Sequence, residues 1–142
     1  MKKYKWIAGI LMIVLLTLCI VFWQQKHTEI AKMESLCQGS AGQALEYFKE
    51  YETQGNDASY IRGVSEFRSF MNAYLYLNDN ISNAEYTWCN IIYSDMVLYP
   101  ERVQSNIRGL IEALEYLSKD YDNMNGFHLM DVYSNELTHA GN

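Results

Sequence analysis

Eighteen consecutive residues near the start of the chain, Trp6 to Trp23 (WIAGILMIVLLTLCIVFW), carry no charge and nothing more polar than Thr17. A helix rises about 1.5 Å per residue, so a run of this length matches a hydrocarbon core of roughly 30 Å. Tryptophan at each end suits the two water-lipid interfaces, where an amphipathic ring is most stable. The run predicts one transmembrane helix over residues 6–23, with a short cytoplasmic N-terminus over 1–5 and an extracytoplasmic domain over 24–142.

Two other readings of the run fit less well. A cleaved secretory signal needs small residues just before the cut, and none stands in A-x-A form near Trp23. The GSAG stretch at 39–42 has the right composition but lies far past the apolar segment. Lipidation at Cys19 would follow Leu16, Thr17 and the bulky Leu18, and four more apolar residues come after it. An uncleaved signal anchor is the expectation.

Charge sets the expected orientation. Lys2, Lys3 and Lys5 precede the run, whereas all seventeen acidic residues follow it, with only eight Lys and Arg beside them. Basic flanks stay in the cytoplasm, so the body of the protein is expected outside, at the plasma membrane, with a formal charge of −9. Nucleic acid as a partner is disfavoured, because neutralising phosphates requires clustered Lys and Arg. Anionic lipid should repel the same surface. Residues 24–142 are enough for one domain with a core that needs neither disulfide nor metal.

The outer segment has one proline, Pro100, and few turn clusters, which favours long helices. A stripe recurs at three- and four-residue spacing along Ile30, Met33, Cys37, Ser40, Ala44, Tyr47 and Tyr51, with Gly39 and Gly42 predicting a kink or break. Gly55 supplies a stop and Asp57 an N-cap. The second stripe is Tyr60, Val64, Phe67, Met71 and Tyr74, widened by Phe70 and Leu77. Ser82 and Glu85 make a capping-box pattern for a third helix that carries Trp88, Ile92, Met96 and Tyr99. Pro100 suits the first turn of a fourth, running through Val103, Ile107, Leu110, Leu114 and Leu117 to Tyr121. DNMNG at 122–126 reads as a breaker before a short last helix over about 127–138. No segment alternates as a strand does. The expected fold is all-α: an up-down antiparallel bundle of about four helices plus a short C-terminal one, after the membrane helix.

Cys37 and Cys89 both fall outside the membrane, where oxidation is permitted. They are a candidate disulfide that would contribute about 4 kcal/mol by closing a loop of about fifty residues. Two free core thiols explain the same pair, and are the favoured reading. Histidines 27, 128 and 139 are scattered. Glu136 and His139 form one E-x-x-H, where a carboxylate-bridged metal bundle needs two, so no metal or other cofactor is expected. G-x-S-x-G, H-E-x-x-H, C-x-x-C and a glycine-rich phosphate loop are missing, which argues against an enzyme. Asn80-Ile81-Ser82 formally matches a glycosylation acceptor.

Tyrosine is the unusual component, with all but Tyr4 lying beyond the apolar run. A surplus of rings with polar tips serves either a core or a recognition face, and core filling is the simpler use. Tyr74, Tyr76, Tyr93 and Tyr116 are the candidate recognition aromatics. The span lacks G-x-x-x-G, so tight pairing through the bilayer is not indicated, although the outer stripes could also join two copies. The resulting expectation is a non-enzymatic, membrane-anchored interaction or accessory module of the cell envelope that binds a protein partner. The alternative is a receptor domain with an aromatic-lined pocket for a small molecule or saccharide.

Overall fold

The computed structural model describes residues 2–78 and 83–140, and in that part the protein is all-α. Six helices follow one another: α1 (Lys2–Gln54), α2 (Asp57–Asn78), α3 (Ala84–Leu98), α4 (Pro100–Ser105), α5 (Ile107–Leu117) and α6 (Met124–Ala140). No strand occurs among the described residues. The chain divides into two units, Met1–Lys32 and Met33–Asn142, so the compact body begins nine residues later than the end of the apolar run suggested.

In the first unit α1 is long and apolar enough to cross a membrane. Its large apolar side chains, from Trp6 to Trp23, are exposed. Thr17, the most polar residue of the run, donates its hydroxyl to the Ile13 carbonyl at 2.8 Å, so its own O–H is paired within the helix. Trp23 and His27 meet edge to face, 4.4 Å between ring centroids.

The second unit is an antiparallel bundle, and its direction can be followed through contacts. Along α1 and α2, Cys37 meets Phe70 and Phe48 meets Gly63. Tyr60 at the start of α2 reaches Met96 near the end of α3, while Arg68 reaches Tyr93. Along α1 and α5, Lys49 pairs with Glu115 at 2.7 Å and Glu52 with Arg108 at 3.3 Å. Gly126 packs on Leu117 and Gly109 on Tyr133, which runs α6 against α5. The core between them is formed by Phe48, Phe67, Phe70, Ile92, Leu110, Ile111, Leu114, Phe127 and Met130, all fully buried. Each such side chain contributes about 1.5–3 kcal/mol by leaving water.

Several local expectations are corrected. Gly39 and Gly42 do not break α1, which stays helical through both. Cys37, Ser40, Ala41 and Ala44 are buried small residues around them, so close packing holds this stretch helical despite its weak propensity. Gly55 does end α1, at φ +65°, a left-handed conformation that suits a residue without a Cβ. The side chain that caps α2 is Asn56, whose Oδ1 accepts from the Ala58 N–H at 3.0 Å; Asp57 is already in the first turn. For α3 the cap is Asn83, accepting from Glu85 and Tyr86. Ser82 and the Asn80-Ile81-Ser82 triplet lie outside the described residues.

The helix expected from Pro100 to Tyr121 is interrupted at Asn106, with φ −130° and ψ 33°. There the Asn106 N–H turns back to the Val103 carbonyl while its side-chain amide donates to Glu136 at 3.0 Å. This local break lets both Val103 and Ile107 remain buried. Helix α6 is also no short appendage. It runs for 17 residues, is capped by Asn123 and buries Phe127, Met130, Tyr133 and Leu137. Gly126, in the stretch read as a breaker, lies inside it and packs against α5, where a Cβ would come within 2.7 Å of Leu117 Cγ.

Candidate functional site: an apolar groove between α2 and α3

The predicted site residues do not converge. Tyr74 is corrected first: it is only 3 % exposed and packs on Phe127 with ring centroids 4.8 Å apart, so it belongs to the core and offers no recognition face. Asn83 donates to its hydroxyl at 3.5 Å, and burial pushes its pKa up to about 12. Tyr93 is half-buried under Arg68, whose guanidinium lies 5.7 Å from the ring centre and donates to the phenol oxygen at 3.3 Å. Tyr76 and Tyr116 are exposed, but on α2 and α5 respectively.

Cys37 and Cys89 are free thiols, fully enclosed in the core, and no bridge joins them. The Cys37 thiol donates to the Phe70 carbonyl at 3.7 Å. Burial, with a smaller contribution from Asp122, pushes its pKa up to about 12. Burial raises Cys89 as well, and the nearness of Cys37 adds to the shift. Both therefore stay protonated near neutral pH, a state in which a thiol is a poor nucleophile and a poor metal ligand. Glu136 accepts from Asn106, and among the described residues no group of three His, Cys, Asp or Glu side chains is placed to hold a metal.

The feature that emerges instead is a groove of about 480 Å³ on the bundle surface. Helix α2 supplies Asp57, Tyr60, Ile61 and Val64, spaced so that they share one face; α3 supplies Met96 and Val97, and α4 supplies Pro100 and Gln104. The floor is rigid. Tyr60 is 4 % exposed, touches the Tyr51 and Phe48 rings, and donates to the Met96 carbonyl at 3.3 Å. The rim is open and greasy, with Ile61 66 % and Val97 54 % exposed and Leu98 exposed beside them. Asp57 is the ionisable carboxylate among the lining residues, and burial, ahead of smaller effects from Tyr51 and Glu101, holds the Tyr60 phenol above its usual range. Three neighbouring cations lie over tyrosine rings, Arg62 over Tyr47, Arg68 over Tyr93 and Arg102 over Tyr99.

The apolar stripes do not reveal this site, because they follow buried positions. Ile61 and Val97 sit one residue past the buried Tyr60 and Met96, so they point off the core face. Large aliphatic residues directly beside a stripe were the available signal. A second cleft of about 370 Å³, between the end of α1 and the α4–α5 junction, is lined by Glu52, Gln104, Asn106 and Arg108 and is already crossed by the Arg108–Glu52 pair. Comparison with protein families, curated proteins and solved structures finds no match to this chain.

Proposed function

We propose that the protein is a membrane-anchored, non-enzymatic interaction or accessory module of the cell envelope, its bundle outside the plasma membrane and its N-terminus in the cytoplasm. The observation that carries this reading is the open apolar groove between α2 and α3 on an otherwise acidic bundle. Exposed aliphatic side chains gathered in one place have a free-energy cost that a binding partner removes. The anchor supports the reading by confining the bundle to a surface layer, where weak contacts gain from a high local concentration. Lys2, Lys3 and Lys5 before the apolar run support the orientation.

The receptor reading has less in its favour. A saccharide site stacks sugars on accessible ring faces, and the groove contains one ring, Tyr60, whose face is covered by its neighbours. Chemical crosslinking of the tagged full chain in intact cells, combined with protease added from outside, tests the module reading. The expected result is a discrete protein adduct and cleavage of the bundle by external protease. Recovery of the chain as an uncrosslinked species in the soluble fraction would overturn both parts.

A further inference from the structure

We draw no further inference here: the strongest candidate, the buried thiol pair Cys37 and Cys89 in the bundle core, rests on raised pKa values with no bond joining the two sulfurs, and nothing in the structure shows what covers the α2–α3 groove.

Discussion

The two parts of α1 handle apolar side chains in opposite ways. Between Trp6 and Trp23 the large residues are exposed all round, and such a surface is stable only where the surroundings are themselves apolar. Past Met33 the same helix buries one face made mostly of small residues, Cys37, Ser40, Ala41 and Ala44, with Phe48 as the large insert, and leaves Leu36 as an exposed exception. Size explains the contrast. A lipid-facing helix gains from area on every side, whereas a helix in a bundle gains from close approach along one side and needs polar residues on the others.

High pH should separate the two parts most strongly. Cys37, with an ordinary value of 9.0, is held up to about 12, Tyr74 rises from 10.0 to about 12, and burial raises Cys89, Tyr60 and Tyr133 in the same direction. Unfolded chains release these protons first, so bundle stability is full below about pH 9 and falls as pH climbs toward the folded values. The apolar run holds no Asp, Glu, Lys, Arg, His or Tyr. Circular dichroism should therefore show loss of bundle cooperativity at alkaline pH while the chain stays in the membrane pellet. A bundle with level stability from pH 8 to 12 would contradict the burial of these groups.

Single substitutions then act on one part at a time. Leu114→Ala empties a fully buried site and should cost about 2–5 kcal/mol in denaturant titration of the detergent-solubilised chain, with membrane retention unchanged. Leu15→Arg inverts that pattern. A charge at the centre of the run costs about 2.5–3.5 kcal/mol of insertion free energy, so the membrane-bound fraction should fall while the bundle's unfolding midpoint holds. If Leu15→Arg instead lowered the bundle midpoint, the division of labour along α1 would be wrong.

Glycines give the finest test. Gly63→Ala places a Cβ 2.6 Å from the Phe48 ring, which is locked in the core, and should destabilise by about 1–3 kcal/mol. Gly39→Ala meets nothing within 4 Å and lies on an exposed helical position, so it should stabilise by about 0.5–1 kcal/mol. Thermal unfolding of the two variants side by side should move in opposite directions.

Local spacing was sufficient for much of this architecture. The apolar run, the Tyr60 to Tyr74 stripe, the stop at Gly55 and the start at Pro100 depend on neighbours within a few residues, and all appear where the pattern put them. Propensity alone misjudged Gly39, Gly42 and Gly126: Gly126 packs against Leu117, whereas the buried Cys37, Ser40, Ala41 and Ala44 carry the helix through the exposed Gly39. Likewise, the tyrosines looked alike in sequence: Tyr74 went to the core and Tyr76, two residues on, to the surface, because successive residues on a helix point about 100° apart.

What the chain determined by itself was its class, helical with one membrane-compatible segment, because hydrophobic length and periodicity act through covalent neighbours. Only the tertiary structure decided that Cys37 and Cys89 share a core as free thiols, that Asn106 interrupts a helix and donates to Glu136, and that Ile61 and Val97 line one groove. Those outcomes depend on which helix packs beside which. Packing is set by shape and volume summed over the whole bundle, and no local window of residues contains that sum.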